Sequence, residues 1–338
     1  MSERILVTGG AGYIGSHTCL ALLEAGYEVT VLDNLCNGSV IALERVQALA
    51  GKPLHFIEGD VRHLADLQRA FELPVAAVIH FAALKAVGES CRDPLAYFDN
   101  NITGTITLLR AMREANVGPL VFSSSATVYG DAKTVPVTED SPLSITNPYG
   151  RTKLVMEQLI ADHCAAWPGS RAALLRYFNP AGAHASGRIG EDPSGVPNNL
   201  VPYITQVAVG TRKELQVFGD DYPTPDGTGV RDYLHVVDLA EAHVAALRFL
   251  ATAEGCHPFN LGTGRGCSVL ELVAAFERAY GRQVPYRIAP RREGDVAELW
   301  ADTQKAEQVL GWNAQRDIDT MCRDAWHWQS SNPQGYQP

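Results

Sequence analysis

The stretch PYGRTK, Pro148 to Lys153, sets a phenol and an ammonium four residues apart. On a helix that spacing puts both on one face, where the charge of Lys153 favours the phenolate of Tyr149 and makes it a usable base near neutral pH. The same spacing recurs in YGDAK, Tyr129 to Lys133, so context has to choose. Asn147 and Pro148 look like an N-cap and a first-turn proline ahead of an amphipathic helix. Tyr129 instead runs into Gly130, Asp131 and Pro136 and reads as loop. Tyr149 and Lys153 are therefore the expected pair. Three serines, Ser123 to Ser125, end an apolar run and offer a hydroxyl that can orient a reacting oxygen. Ser123 and Ser124 are expected to bond backbone instead.

A second chemistry is written near the start, in VTGGAGYIGS, Val7 to Ser16. The glycines match GxGxxG as Gly10, Gly12 and Gly15, and GxxGxxG as Gly9, Gly12 and Gly15, which leaves open which one makes the tight turn. Either way the stretch joins a strand to a helix whose first N–H groups lack partners and favour a phosphate. Asp33 stands eighteen residues after Gly15, at the end of the next apolar run. A carboxylate there can accept from both ribose hydroxyls of an adenosine and repels a 2′-phosphate, so NAD is expected rather than NADP.

The elements that must position these groups follow from periodicity. Arg4–Thr8, Glu28–Leu32, Leu54–Ile57, Ala76–Phe81, Leu120–Ser123 and Ala173–Tyr177 are apolar enough to be strands covered on both faces. Between them Ile14–Ala25, Leu64–Phe71, Tyr97–Asn116 and Tyr149–Ala166 carry apolar residues at helical spacing. The expected fold is α/β, a doubly wound parallel sheet of Rossmann type. From Asn179 the texture turns to Gly, Pro and Asn, and the boundary is placed there. That makes 1–178 the NAD-binding domain and 179–338 a smaller mixed α/β substrate domain, whose later segments can return to the first. Helices are expected at Leu200–Val209, Asp238–Leu250, Leu270–Tyr280 and Asp319–Trp328.

Composition narrows the partners. A net charge of −10 argues against a nucleic-acid binder, which needs Lys and Arg to neutralise phosphates. Seven cysteines without a CxxC pair suggest neither a disulfide framework nor a zinc site, and fit a cytoplasmic protein. No run is long and apolar enough for a membrane span, and the start carries no export signal. His235 and His243 flank Asp238 without any metal-ligand spacing and read as structural, so no metal is expected.

The segments RYFNPAGAH, GEDPSG, PNNLVPYI, FGDDYPTPDGTGVRDYLHVVDLA, NLGTG and APRREGD carry the pattern over nearly the whole chain. With TGGAGYIG, the serine run and YxxxK, they make the sequence resemble the UDP-glucose 4-epimerases, which are extended short-chain dehydrogenases/reductases. The first-domain motifs are shared across that superfamily, while those of the second domain are specific to the epimerases. The resemblance implies a catalytic set of Ser125, Tyr149 and Lys153. It implies NAD contacts at Gly9, Gly12, Tyr13, Ile14, Gly15, Asp33, Asn34, Leu35, Cys36, Asn37, Gly38, Asp60, Val61, Phe81, Ala82, Ala83, Leu84, Lys85, Asn100, Ser125, Tyr149, Lys153 and Phe178. Nucleotide-sugar contacts are implied at Ser125, Tyr149, Asn179, Asn199, Leu200, Gln216, Val217, Phe218, Arg231, Arg292, Asp295 and Leu299. Asp60 and Asn199 have a plainer role open to them, as caps of the helices that follow. Arg231 and Arg292 are the guanidinium groups that a pyrophosphate wants in a net acidic protein.

The implied reaction interconverts UDP-glucose and UDP-galactose. Tyr149 takes the proton of the sugar 4-hydroxyl, hydride passes from C4 to tightly bound NAD, the 4-keto sugar turns over, and the hydride returns to its other face. Family members carry tyrosine, or a small cysteine or serine, where this chain has Leu299, so slower turnover of UDP-N-acetylhexosamines is expected. A nucleotide-sugar 4,6-dehydratase would need carboxyl groups where Ala126 and Thr127 follow Ser125. A catalytically silent NAD-binding regulator would not need Ser125, Tyr149 and Lys153 intact. The resemblance, with the apolar stripes Ile102, Ile106, Leu109, Met112 and Leu154, Val155, Leu159, Ile160, also implies a homodimer joined through a four-helix contact.

Overall fold

Apolar runs separated by helix-length segments must pair in parallel, since a crossover connection returns the chain to the same end of the sheet. A computed structural model, which describes residues 2–292 and 294–337, shows that sheet. Its strands β1 (Arg4–Thr8), β2 (Glu28–Asp33), β3 (His55–Glu58), β4 (Ala77–His80), β5 (Pro119–Ser125) and β6 (Arg171–Tyr177) lie in the order 3-2-1-4-5-6. Successive residues alternate between two cores, as the pleat requires: Ile5, Val7, Val31 and Ile79 face one, Leu6, Leu32, Val78 and Phe122 the other. Strand order reverses between β1 and β4, and ligands of doubly wound sheets bind at such a switch, beyond the carboxyl ends of the strands.

A seventh parallel strand, Gly255–Leu261, pairs with β6 and comes from beyond the glycine-rich stretch. Its sequence GCHPFNL holds too many polar residues and a proline to read as a buried strand, and it lies at the sheet edge where such residues are tolerated. The helix Val236–Leu250 packs on the helix α1 (Tyr13–Glu24), so the chain after Asn179 contributes to the first sheet and its cover.

Two differences from the expected helices have physical causes. Val40–Ala50 is a helix that the periodicity did not reveal, marked by the Ser39 hydroxyl accepting from the Ile41 N–H and by left-handed Gly51 at its end. The expected single helix Tyr97–Asn116 is instead Pro94–Tyr97, a π-helical turn Phe98–Thr103, and Gly104–Glu114. The turn buries Asn101 completely, and its side chain accepts from the Leu84 N–H at 2.8 Å and donates to the Leu84 carbonyl and the Thr152 hydroxyl. The extra residue in the turn thus ties the loop after β4 to the helix Pro148–Ala166.

Three helices of the second half, Leu200–Ala208, Val269–Tyr280 and Ile318–Ser331, enclose a third core around Ile204, Leu272, Phe276 and Met321. Short strand pairs join this unit to the cleft, among them Val230–Arg231, which lies between Cys267–Ser268 and Glu298–Leu299. Among the described residues no helix is long and apolar enough to cross a membrane.

Candidate active site

A cleft of about 1010 Å³ runs from the ends of β1 and β2, past β5, to the second unit. At its first end the structure settles the glycine register. Gly9 has φ +74°, and a Cβ there would stand 2.6 Å from the Ala82 nitrogen; a Cβ on Gly15 would meet the Gly9 carbonyl at 2.3 Å. The tight turn therefore belongs to Gly9, with Gly12 and Gly15 completing GxxGxxG. Gly12 is the N-cap of α1 and no side chain caps it, so the first N–H groups of the helix open on the cleft. Asp33 is buried at the end of β2. One carboxylate oxygen accepts from the Ala11 N–H and the other from the Leu35 N–H, each at 2.9 Å, and burial raises its pKa despite both bonds.

Tyr13, Ile14, Asn34, Cys36, Asn37, Gly38, Val61, Phe81 to Lys85, Asn100, Phe178, Asn179 and Asn199 all line this cleft. Leu35 and Asp60 do not: Leu35 packs on the core, and the Asp60 carboxylate is engaged by Arg62 and Asn34, which hold its pKa well below the usual range. Leu200, Gln216, Val217 and Phe218 also lie off the lining; Val217 is buried in the third core.

At the centre Ser125, Tyr149 and Lys153 face the cleft together. Asn147 caps the helix by accepting from the Gly150 N–H at 2.8 Å, as its sequence predicts. Lys153, however, does not turn its ammonium to the phenol. Its Nζ donates to the Ser123 carbonyl at 2.6 Å and lies 5.9 Å from the Tyr149 ring centroid. Burial brings the Lys153 pKa down to about 7 against the pull of Glu157. Burial likewise pushes Tyr149 up to about 12, opposed by the Ser125 hydroxyl beside it. The phenolate expected from spacing alone is thus disfavoured in the protein by itself, because desolvation of the phenol dominates and the Lys153 ammonium is bonded elsewhere. The competing Tyr129 is buried in a 3-10 turn, donating to Asn260 at 2.6 Å and accepting from Arg176 at 3.0 Å. Ser124 does not bond backbone as expected but donates to the Glu157 carboxylate, because that buried acid stands beside it, and Ser123 lies against the Tyr177 phenol; Ser125 carries the hydroxyl beside Tyr149.

The far end gathers charge. Arg292 makes a two-pronged contact to Asp295, at 2.9 and 3.1 Å, and Arg231 stands 4.0 Å from the same carboxylate. Both guanidiniums line the cleft, as does Leu299, which packs with Phe178 and Val296. Asn199 sits at the N-cap of Leu200–Ala208 without capping it; its amide donates to buried Glu191 at 2.8 Å, and Lys85 reaches Glu191 at 3.3 Å. Sequence reasoning missed Glu191, whose only signal was an acid in a loop otherwise rich in Gly and Pro. His235 pairs with Asp324 and His243 with Tyr177, both buried away from the cleft.

A sheet with a glycine-rich turn, an uncapped helix start and a buried aspartate at one end, a serine, tyrosine and lysine at its middle, and two arginines beyond them has the arrangement of a dinucleotide-dependent enzyme. The chain belongs to the NAD dependent epimerase/dehydratase family, whose profile matches residues 5–262. It is 59% identical to the UDP-glucose 4-epimerase of Bacillus subtilis over 98% of either chain. Among solved structures it matches UDP-glucose 4-epimerase of Bifidobacterium longum in complex with NAD+ and UDP, with TM-score 0.96 and 53% identity, covering 98% of this chain and 100% of that one. The enzyme from Stenotrophomonas maltophila with bound NAD and formylated UDP-arabinopyranose matches with TM-score 0.95 and 54% identity over 97% of this chain and 98% of that one.

Proposed function

We propose that this protein is a UDP-glucose 4-epimerase. One observation carries the reading: a single cleft joins the Gly9 turn and Asp33, the Ser125, Tyr149 and Lys153 group, and the Arg231 and Arg292 pair. NAD fits its first half. The uncapped start of α1 suits a pyrophosphate, and Asp33 keeps lone pairs beyond its two backbone bonds for ribose hydroxyls. When bound, NAD supplies a hydride acceptor for sugar C4 and a positive ring whose field favours the Tyr149 phenolate.

In this reading Tyr149 takes the proton of the 4-hydroxyl and returns it after the sugar has turned. Ser125 donates to the same oxygen, and Lys153 steadies the cofactor ribose while lending charge to the phenol. Arg231 and Arg292 exchange Asp295 for the substrate diphosphate, which anchors the nucleotide and leaves the hexose free to present either face. Gly9, Gly12, Tyr13, Ile14, Gly15 and the loops 33–38 and 81–85 hold the cofactor; Asn179, Asn199 and Leu299 face the nucleotide sugar. The first domain then comprises 1–178 with the returning segment 236–261. UDP-glucose supplied to the purified protein without added cofactor should yield UDP-galactose. A 4-keto-6-deoxy product would favour a dehydratase, but Ala126 and Thr127 offer no acid for that elimination.

The cytoplasmic homodimer belongs to the same proposal. Leu109, Met112 and Ile160 are used by the sheet, but Ile102, Ile106, Leu154, Val155 and Leu159 stay partly exposed and Leu95 is 79% exposed nearby in sequence. A second copy that covers this face accounts for them. Light scattering of a micromolar solution should give the mass of two chains, and a monomer would remove the claim.

A further inference from the structure

One wall of the cleft is a loop, 187–192, without helix or strand; Gly190, Glu191 and Asp192 of this loop line the cleft, and so does Tyr336. What fixes the loop comes from far along the chain. The Tyr336 hydroxyl accepts from the Gly190 N–H at 3.0 Å and donates to the Gly190 carbonyl at 3.1 Å, so one phenol satisfies both backbone groups of that residue. The Tyr336 N–H donates to the Asp192 carboxylate at 2.8 Å, and between them the Glu191 carbonyl accepts from the Trp328 indole at 3.2 Å. Three consecutive wall residues are thus held by the helix Ile318–Ser331 and the segment after it. The fit leaves no slack: a Cβ on Gly190 would stand 2.3 Å from the Trp328 ring, and one on Gly335, at φ +76°, 2.1 Å from the Asp192 carboxylate.

Arg45 ties this assembly to the cofactor half. It lies on the helix Val40–Ala50, which follows the loop 33–38. Its guanidinium donates to the Arg188 carbonyl at 3.0 Å and to the Asn332 side-chain oxygen at 2.7 Å. The same group lies over the rings of Trp328 and Tyr336, 5.8 and 5.3 Å from their centroids, and the two rings pack on each other at 4.7 Å. What the assembly presents to the cleft is Glu191, on whose carboxylate Lys85 of the loop 81–85 and Asn199 converge.

We propose that Tyr336 is a positioning residue for cofactor retention: with Trp328 and Arg45 it clasps the loop 187–192 to the helix Val40–Ala50, so that Glu191 holds Lys85 and NAD stays in the cleft between turnovers. The inference rests on the cofactor reading given above. An enzyme that takes a hydride from C4 and returns it has to keep its NAD throughout, and the residence of a ligand is set by the contacts that must open before it leaves. Tyr336 does this at a distance from the chemistry, through the backbone of the loop.

Full-length protein loaded with radiolabelled NAD is chased with excess unlabelled NAD, and the label retained on the protein is followed with time. Tyr336→Ala is expected to release label at least ~10-fold faster than wild type, and Tyr336→Phe by a smaller factor, since it loses the hydroxyl but keeps the ring under Arg45. Arg45→Met, which keeps the apolar stem and loses the guanidinium, gives a second route if Tyr336→Ala fails to fold. Its release should quicken as well, while kcat with NAD in excess stays within ~3-fold of wild type, a split between retention and turnover that a merely structural role would not give. Wild-type release rates in Tyr336→Ala or in Arg45→Met would overturn the proposal, as would a collapse of kcat in Arg45→Met with NAD in excess. A wild-type protein that takes up no labelled NAD would instead overturn the cofactor reading itself, and the clasp with it.

Discussion

The ammonium of Lys153 lies 5.9 Å from the centroid of the Tyr149 ring, one helical turn away, and spends its hydrogen bond on the Ser123 carbonyl. In the mechanism proposed above Tyr149 is the acid–base group and Lys153 stands beside it. Tyr149→Phe should therefore keep the fold and bound NAD while lowering kcat at least ~100-fold, the usual scale for losing a general base. Ser125→Ala should fall less, because a water can replace one hydrogen bond to the reacting oxygen. Steady-state assays of purified, NAD-loaded variants check both, and near-wild-type turnover in Tyr149→Phe would remove the assignment.

Tyr129 has the same spacing to a lysine but a different fate. Its hydroxyl is buried between Asn260 and Arg176. Tyr129→Phe leaves both partners short of a bond and should cost ~1 to 3 kcal/mol of stability in urea denaturation. Turnover per folded molecule should stay within a few-fold of wild type.

Three buried histidines make the fold sensitive to acid. Burial lowers the pKa of His17 to about 3, His80 to about 3 and His243 to about 4. The unfolded chain takes up protons on these rings below pH ~6.5 while the folded protein refuses them, so their contribution is whole above that pH and is lost as pH falls toward the folded values. Each ring can contribute a slope of ~1.4 kcal/mol per pH unit in that window. Urea midpoints measured from pH 8 down to pH 5 should hold steady at first and then fall steeply below about 6.5. A flat profile would show that the rings gain charge without unfolding.

Leu299 is 9% exposed, faces the cleft and packs against Phe178 and Val296. A branched side chain smaller than tyrosine and larger than cysteine should leave UDP-N-acetylglucosamine as a slow substrate beside UDP-glucose. We expect Leu299→Tyr to suppress kcat/KM for the acetamido sugar and Leu299→Cys to raise it, each by ~10-fold, with UDP-glucose changed much less. If neither variant moves the ratio, position 299 does not gate the site.

Much of this molecule is legible from local pattern. The strands β1 to β6 show because burial on both faces demands unbroken apolar runs, and the Asn147–Pro148 signal marks the start of its helix because capping is a local interaction. What stays hidden is made by distant contacts. The strand Gly255–Leu261 is polar and edge-placed, the π-turn at Phe98–Thr103 exists to bury Asn101, and Glu191 matters only because Lys85 and Asn199 converge on it. Spacing also misjudged the electrostatics of Tyr149, since a four-residue interval places two groups on one face but says nothing of their desolvation.

The central claim is a transient oxidation at C4 whose hydrogen returns to the same carbon. UDP-glucose carrying deuterium at C4, incubated in ordinary water with the purified protein, tests it by NMR and mass spectrometry of the product. The expected product is UDP-galactose with the deuterium retained at C4. Deuterium lost to solvent during conversion, or a 4-keto-6-deoxy sugar in place of UDP-galactose, would contradict it.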